Sequence, residues 1–457
     1  MIKIVKNILV VGLVATSMSG CGLYSKFEQT ADDSITDNLF NYIEATSDTT
    51  SIASLGWREI FTDAQLQSLV EQALENNTDL NVARLNVEQA QIALKKSRKA
   101  YTPTLDLSLD GGIKHVGGTT TNSYGATLSS GWDIDVFGKL YSAKLQSKAA
   151  LEQSIAYQRA VQTQLVATVA TNYYSLLMLD EQLKISRRSL EMWDANLRTT
   201  EALNRAGRVN NTAVLQSAAN KSALESSIIS LEEQIKVAEN NISTILLIAP
   251  QHIERSTITD VEFPEELSVG QPLQLVANRP DVQYAEFELA QAFYAVGVAR
   301  ASMYPALSLS GSISYSDGSG VVTNPGELIY NLAASVLQPI FNRGVLRAEL
   351  QISKSQQEQA LLQFNQAVLD AGAEVNIALV ECQSAKARMV KDLEQIKLLT
   401  EAVRNTELLM THGTSTYLEV LTAQQSLLSA ELSYASTKFE LSEGVINLYY
   451  ALGGGVE

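Results

Sequence analysis

One segment of the chain, from Lys139 to Ala206, contains neither proline nor glycine. Proline breaks a helix and glycine weakens it, so this stretch favours one continuous α-helix. At about 1.5 Å per residue such a helix would reach roughly 100 Å, more than a compact globular domain needs. A counterpart runs from about Val345 to His412 with one interior glycine, Gly372. The sequence therefore predicts an assembly built on two very long helices.

Each long helix is expected to reverse direction at a glycine. Gly207 and Gly413 stand at the two ends, and a glycine with a left-handed backbone conformation closes many helices. A second helical run follows each of them. The pattern predicts two helical hairpins, with tips near 207–211 and 413–415.

Two shorter segments alternate apolar and polar residues, which is typical of a strand with one wet face. LSLSGSISYS (307–316) alternates large apolar residues with serine, and TLDLSLD (104–110) repeats the pattern with aspartate. A further strand follows each one, although Pro339 interrupts the last and indicates an edge or a strand end. We expect two β-hairpins, at 104–137 and 306–341.

The second half of the chain repeats the plan of the first. Identical residues recur in the same order in both halves, which indicates an internal duplication. The pairs include Asp79 with Asp281, Ala83 with Ala285, Gln89 with Gln291, Pro103 with Pro305, Phe137 with Phe341, Gly207 with Gly413, and Glu225 with Glu431.

The N-terminus has the features of a secretory signal. Lys3 and Lys6 precede an apolar run too short to span a bilayer, and the letters MSG lead into Cys21. This ending resembles bacterial lipoprotein signals, in which the cysteine carries a covalent lipid. Gly22 in the next position is compatible with outer-membrane sorting. Because Cys21 would be acylated, Cys382 has no disulfide partner, and we expect it to be a small helix-packing residue.

Composition argues against two classes of function. The formal net charge is -16, so nucleic acid is not an expected partner. His115, His252 and His412 are scattered, without the spacing of a metal site, and no catalytic triad or phosphate-binding loop is present. We expect neither an enzyme nor a cofactor other than the lipid.

Strands that enter a membrane must pair every backbone polar group, which requires a closed barrel. Small barrels begin at about eight strands, so four strands cannot close alone. Two copies would give eight strands around a filled interior, whereas three would give twelve and leave a path for water.

Several motifs spread over almost the entire mature chain carry a resemblance. They are Gly56-Trp57 with Phe61, ALENNTDLNVA (73–83), NRPDVQYAE (278–286), Tyr304-Pro305, HGTSTYLEVLTAQQSLLSAE (412–431) and NLYYALGGG (447–455). Together they resemble the outer membrane factor family, the TolC-like channels of efflux pumps, in its lipoprotein branch of OprM and NodT type.

The resemblance implies a fold that is mainly α with a membrane β-barrel portion. A homotrimer would share a 12-stranded β-barrel in the outer membrane and a long α-helical barrel in the periplasm. Its partners would be outer-membrane lipid, a periplasmic adaptor protein and an inner-membrane transporter, commonly of the resistance-nodulation-division class. The chain would be the exit channel of a tripartite efflux pump. The alternatives are the outer-membrane channel of a type I protein secretion system and a lipid-anchored periplasmic adaptor.

The resemblance also implies roles for particular residues. The adaptor would dock at the tips, at Gly207, Arg208, Val209, Gly413, Thr414 and Ser415. Candidate gate residues nearby are Arg404, Glu407 and Glu419. The alternative for each is a solvated surface charge. Residues lining the barrel lumen would be Asp106, Asp110, Asp133, Asp135, Ser308 and Ser310, and the aspartates would favour cations or simply keep the lumen wet. Trp132 and Tyr124 are candidates for interfacial aromatic residues.

The expected organisation has five parts. They are a signal peptide (1–20), a lipid-anchored extended arm (21–56), a first repeat (57–249), a connector (250–277) and a second repeat (278–457).

Overall fold

We describe the fold from a computed structural model, which describes residues 25–28, 56–258, 278–317, 327–412 and 416–454. In chain order the elements are α1 (Trp57–Ile60), α2 (Ala64–Asn76), α3 (Thr78–Lys99), β1 (Asp106–Val116), β2 (Thr119–Ile134), α4 (Lys139–Arg205), α5 (Asn211–Ile245), α6 (Pro280–Ala301), β3 (Ala306–Asp317), β4 (Glu327–Leu337), α7 (Val345–Thr411) and α8 (Tyr417–Ala451). The mainly helical fold with two β-hairpins is as predicted.

The duplication is visible in the lengths of the helices. Helices α3 and α6 each have 22 residues, α4 and α7 each have 67, and α5 and α8 each have 35. Lys139 at the start of α4 therefore corresponds to Val345, and Arg205 at its end corresponds to Thr411. None of the described helices is both long enough and apolar enough to cross a membrane.

The described residues form two compact units, each of which draws on both repeats. The first contains the described parts of Met1–Ala31, Leu85–Ile155 and Tyr284–Asn365, and the second those of Asp32–Arg84, Ala156–Gln283 and Gln366–Glu457.

The first unit contains one antiparallel sheet with the strand order β1-β2-β3-β4. The two hairpins are joined by the pairing of β2 with β3, so β1 and β4 are the edge strands of the described sheet. Gly117 and Gly118, both with positive φ, make the tight turn of the first hairpin. Every residue of β1 is exposed.

Strand β1 is longer than the alternating sequence segment indicated, because it continues through Gly111 and Gly112 to Val116. Glycine usually weakens a strand, but here it relieves crowding. A Cβ at Gly112 would lie 3.0 Å from the Ser123 Oγ on the paired strand. Strand β2 ends at Ile134, three residues before the predicted end of the hairpin.

The second unit has a continuous apolar core. Its centre includes Trp57, Phe61, Leu66, Leu176, Leu177, Ile446 and Leu448, all buried. The Phe61 ring meets Tyr449 edge to face, with the centroids 5.5 Å apart. Ile253 and Ile258 are buried in the same core, so the first part of the predicted connector packs against the helices of this unit. The remainder of that connector lies outside the described residues.

Arg279 in the NRPD motif is buried, with only 2% of its surface exposed. Its guanidinium donates to Asp281 at 2.7 Å, to Glu374 of α7 at 2.5 Å and to the Ala451 carbonyl at 2.8 Å. Desolvation acts to lower its pKa, but the two carboxylates outweigh this and raise it. Arg279 therefore stays charged and joins the start of α6, the middle of α7 and the end of α8.

Cys382 is a buried, free thiol, consistent with the packing role expected for it. Burial raises the pKa of this thiol to about 11, so it stays protonated and unreactive. Its neighbour on α8 is Gly444, where a Cβ would lie only 2.9 Å from the Cys382 Sγ. The absence of a side chain at Gly444 allows α7 and α8 to approach closely.

Replacing Gly444 with alanine is expected to destabilise the helical unit by about 1–3 kcal/mol, because the new methyl group overpacks this contact. The measurement is thermal unfolding of the purified, detergent-extracted protein followed by circular dichroism. Adding Cys382→Ala removes the clashing sulfur and should recover part of the loss. Strictly additive effects of the two substitutions would contradict the proposed contact.

Candidate functional site

The strand register gives the sheet one apolar and one polar face. Residues opposite each other in an antiparallel ladder project to the same side. The pairs Leu107–Leu128, Leu128–Ile313 and Ile313–Tyr330 therefore join all four strands on one face. That face carries Leu107, Leu109, Ile113, Tyr124, Ala126, Leu128, Trp132, Ile134, Leu307, Leu309, Ile313, Tyr315, Leu328, Tyr330, Leu332, Ala334 and Val336.

The predicted lumen residues lie on the opposite face, with one exception. The pairings are Asp106 with Ser129, Asp110 with Gly125, Asp133 with Ser308, and Ser310 with Gly131. Asp135 follows the last residue of β2, and its Oδ2 accepts a hydrogen bond of 2.8 Å from the backbone N–H of Tyr141. It therefore stabilises the first turn of α4 and is not part of the strand's polar face.

Aromatic residues gather where the strands meet the helices. Trp132, on the apolar face, donates its indole N–H to the Tyr101 carbonyl at 2.9 Å. Phe137 stacks on Tyr304, with centroids 5.0 Å apart and planes 13° from parallel. The Phe137–Tyr304 contact joins the two repeats within the first unit. Sequence reasoning missed it, because the two rings are far apart in the chain.

Part of the predicted N-terminal arm lies against helix α6. The Phe27 backbone N–H donates to the Tyr294 hydroxyl at 3.2 Å, and its ring meets Phe293 edge to face at 5.9 Å. A cavity of about 50 Å³ beside this contact is bordered by Ser25, Ser142 and Arg300, among others. Cys21 itself lies outside the described residues.

At the first helical tip, helix α4 ends in a hydrogen-bonded glycine cap, as predicted. Gly207 has a φ of 70°, its N–H donates to the Asn204 carbonyl, and the Arg208 N–H donates to the Leu203 carbonyl, both at 2.9 Å. These two bonds define a Schellman motif. The Asn204 side chain also donates to the Val209 carbonyl at 2.9 Å. Arg208 is exposed and Val209 is partly buried.

Helix α5 begins immediately after this tip. The Asn210 side chain accepts a hydrogen bond of 3.1 Å from the Ala213 N–H and caps the helix. The whole reversal is therefore short and internally bonded. Gly413, Thr414 and Ser415 of the second tip lie outside the described residues.

The three candidate gate residues differ in their surroundings. Arg404, Glu407 and Glu419 are all exposed on the described chain. Glu407 nevertheless accepts a hydrogen bond of 3.0 Å from the buried Gln424 side chain. Gln424 in turn accepts one of 3.2 Å from Asn196. Glu407 thus belongs to a polar chain that crosses α7, α8 and α4.

Asn196 and Gln424 are functional candidates that the sequence did not reveal. These helices contain many Asn and Gln residues, and the sequence pattern does not show which of them are buried. A buried amide pair near a tip is costly unless its hydrogen bonds form, so it fixes how the helices pack. Between α4 and α5, a hydrogen bond from the Lys221 ammonium of α5 lowers the pKa of the Asp194 carboxyl of α4.

Comparison with known proteins gives a consistent result. A model of the family described as "Outer membrane efflux protein" matches residues 69–246 and 272–454. The chain is 29% identical over 462 residues to the cation efflux system protein CusC of Escherichia coli (strain K12), covering 97% of this chain and 98% of that protein. It is 28% identical over 417 residues to the probable outer membrane lipoprotein SilC of Salmonella typhimurium, covering 89% of each.

A solved structure agrees with the sequence comparisons. The outer-membrane channel OprN superposes with a TM-score of 0.84 at 28% identity, covering 95% of this chain and 99% of that one. The fold of the chain is therefore that of outer-membrane channels with a helical barrel and a β-barrel, as its resemblance implied.

Replacing Gly207 with alanine is expected to destabilise the first tip by about 1 kcal/mol, because a side chain disfavours the left-handed conformation there. Hydrogen exchange at the amides of Gly207 and Arg208 should accelerate about fivefold. Gly56→Ala is the matched control, since Gly56 has an ordinary φ of -66° and no atom near an added Cβ. Unchanged exchange at the tip would show that the cap does not hold it.

Proposed function

Because this chain belongs to the family of outer membrane efflux proteins, we propose that three copies of it form the exit channel of a tripartite pump. The channel receives small molecules from an inner-membrane transporter of the resistance-nodulation-division class, and a periplasmic adaptor joins the two.

 Its place in the outer membrane and its role in efflux follow from the family, whose members are channel proteins.

The observation that carries the proposal is a sheet with an exposed apolar face and two open edges. Within the described chain β1 pairs only with β2, and β4 pairs only with β3. Leu109 is 75% exposed and Leu332 is 87% exposed, so the apolar face has no cover in the single chain. Lipid suits that face, but the open edges need strands from other copies. Three copies supply twelve strands, enough to surround a water path.

The duplication predicts how β4 of one copy pairs with β1 of the next. Within the chain, Ser130 of β2 lies opposite Gly311 of β3. The two hairpins have matching registers, because Asp106 pairs with Ser129 in the first and Ser308 with Ser335 in the second. Positions in β3 are therefore 202 residues after those in β1, and positions in β4 are 206 after those in β2. The pair between copies that is equivalent to Ser130–Gly311 is Val336 with Leu109. Both residues lie on the apolar face, so the face continues unbroken from one copy to the next.

The helical unit supports self-association independently. Large apolar residues on α7 remain exposed at intervals that fit positions a, d and e of a heptad repeat. They are Leu369, Ile377, Val380, Val390, Leu398 and Leu408. A stripe of this kind needs a partner helix, and a second copy of the chain supplies one.

The polar face of the sheet would line the channel. Each copy contributes Asp106, Asp110 and Asp133 to this face, which would make the lumen negative and favour cations. The adaptor would dock at the tips, where Arg208 is exposed. A channel of a type I secretion system would look the same at this level, because the docked transporter selects the cargo. An adaptor role has no support from the two helical hairpins and the single four-stranded sheet.

The lipid on Cys21 belongs to the same proposal. Ser25 borders the cavity beside α6, and the four residue-to-residue steps from Cys21 to Ser25 span at most about 14 Å. Docking of Phe27 on Phe293 and Tyr294 would hold the acylated cysteine close to this unit, which contains the membrane sheet.

Acylation is tested by mass spectrometry of the N-terminal peptide of the membrane-extracted protein. The peptide is expected to begin at Cys21 and to carry the mass of a diacylglycerol and a third acyl chain. Cys21→Ser should abolish the modification, while Phe27→Ala should leave it intact. An unmodified N-terminus in the native sequence would rule out the anchor.

The trimer is tested by cysteine cross-linking between β1 and β4. Val336→Cys is combined in turn with Leu107→Cys, Leu109→Cys and Ile113→Cys, and the membranes are treated with a mild oxidant. Disulfide-linked dimers and trimers, but no larger species, are expected on denaturing gels. The yield should be highest for the pair with Leu109→Cys and low for the pair with Ile113→Cys, about 13 Å further along the strand.

Light scattering of the extracted protein, corrected for detergent, gives the number of chains independently. A monomer without cross-links at any of the three positions would overturn the proposed channel. Cross-linked species larger than a trimer would favour an open array of copies over a closed ring.

A further inference from the structure

All four connections between a helix and a strand of the first unit lie at the same end of the sheet. Strands β1 and β3 begin shortly after α3 and α6 end, and strands β2 and β4 end shortly before α4 and α7 begin. Leu307 at the start of β3 lies opposite Ile134 at the end of β2. Ala306 likewise lies opposite Leu337 at the end of β4. We call the connecting segments, residues 89–103, 135–148, 291–305 and 338–354, the collar.

The collar is basic, although the chain as a whole is acidic. Its four segments contain four, three, one and three lysines and arginines respectively. The collar thus has eleven of the chain's 34 basic residues, but only two of its 50 acidic residues, Asp135 and Glu349. A concentration of positive charge at one level of an acidic protein favours an anionic partner at that level.

The basic side chains of the collar are not neutralised within the chain. Ten of the eleven are exposed, and Lys144 is half-buried. Every ion pair found among the described residues lies outside the collar. The collar therefore offers its charge to an external anion.

Aromatic residues connect the collar to the apolar face of the sheet. Trp132 lies on that face and donates to the carbonyl of Tyr101 in the collar at 2.9 Å. The Lys144 ammonium lies 5.6 Å from the centroid of the Tyr101 ring and 5.5 Å from that of Tyr141. Tryptophan, tyrosine and lysine at the border of an apolar surface are typical of the headgroup level of a bilayer. The collar thus begins where the apolar face ends.

We propose that the collar binds the headgroups of anionic phospholipids in the membrane leaflet that faces the periplasm. The proposal rests on the proposed channel, in which the apolar face lies in lipid and the helices extend into the periplasm. Each lysine or arginine near a membrane surface strengthens the attraction to anionic lipid by about fivefold. The collar thereby gives an acidic chain a local attraction to an acidic membrane surface.

The competing occupant is the acidic stretch 28–48 of the chain itself. It contains six aspartates and glutamates and neither lysine nor arginine. It also follows Phe27, whose backbone N–H donates to Tyr294 of α6. The position of the collar favours lipid, because the collar adjoins the apolar face. Occupation by the acidic stretch is an outcome that the experiment below distinguishes.

Tryptophan fluorescence provides the test, because one of the chain's three tryptophans lies beside the collar. Trp132 is 42% exposed on the apolar face, whereas Trp57 and Trp193 are buried in the other unit. The trimer is reconstituted in phosphatidylcholine vesicles with increasing fractions of brominated phosphatidylglycerol or brominated phosphatidylcholine. We expect phosphatidylglycerol to be preferred beside Trp132 by at least about fivefold at low salt, and less at high salt. Trp132→Phe should remove the quenching and so identifies the reporter.

Lys99→Gln combined with Lys139→Gln should lower the preference for phosphatidylglycerol by about two- to fivefold. The matched control is Lys236→Gln combined with Lys397→Gln, which removes two exposed lysines of the other unit and should change nothing. An equal affinity for the two lipids in the unaltered trimer would overturn the inference and leave the proposed channel intact. So would an unchanged preference in the collar variant.

The acidic stretch is tested with Asp32→Asn, Asp33→Asn and Asp37→Asn combined. A preference for phosphatidylglycerol that appears only in this variant would show that the acidic stretch occupies the collar, against the inference. Quenching by neither lipid, together with a monomer in light scattering, would overturn both the inference and the proposed channel.

Discussion

Backbone hydrogen bonding at the two edges of the sheet is the constraint on which the rest of the structure depends. Strands β1 and β4 each have a partner on one side only within the described chain. In lipid, unpaired N–H and C=O groups cost several kcal/mol each, so a sheet with open edges cannot remain alone. The exposed apolar face adds the same requirement from the side chains, because water is a poor solvent for it.

The duplication meets part of this constraint within one chain, because the hairpins of the two repeats pair with each other. Each repeat contributes a hairpin, a long helix and a returning helix of matched length. In the proposed trimer, the contact between repeats within a chain would serve as a template for the contact between copies. The two contacts need not be equally strong, since the residues at equivalent positions have diverged. Arg188 and Glu394, which occupy equivalent positions of α4 and α7, illustrate this divergence, because Arg188 is bonded to Glu431 of α8 and Glu394 bears the opposite charge.

Within the helical unit, buried polar groups hold chain segments that are distant in sequence. Arg279 has carboxylate and carbonyl partners on α7 and at the end of α8, which it keeps in place at full charge. Asn196 and Gln424 do the same for α4 and α8 closer to the tips. Such contacts are expensive when broken, so they hold these helices in one arrangement.

The sequence by itself determined the features that depend on neighbouring residues. The absence of proline and glycine predicted the extent of α4, the alternation of leucine and serine predicted β3 and its two faces, and Gly207 predicted the end of a helix. These follow from local backbone preferences and from the period of two in a strand. The internal duplication was also readable from the residues alone.

Only the tertiary structure decided which distant residues meet. It fixed the strand register, took Asp135 out of the strand to cap α4, and brought Phe137 onto Tyr304 and Asn196 onto Gln424. Their partners lie many residues away, and many side chains of the same type compete for each position. Local sequence preferences contain no information on such choices, because they are settled by packing and by hydrogen bonding between elements.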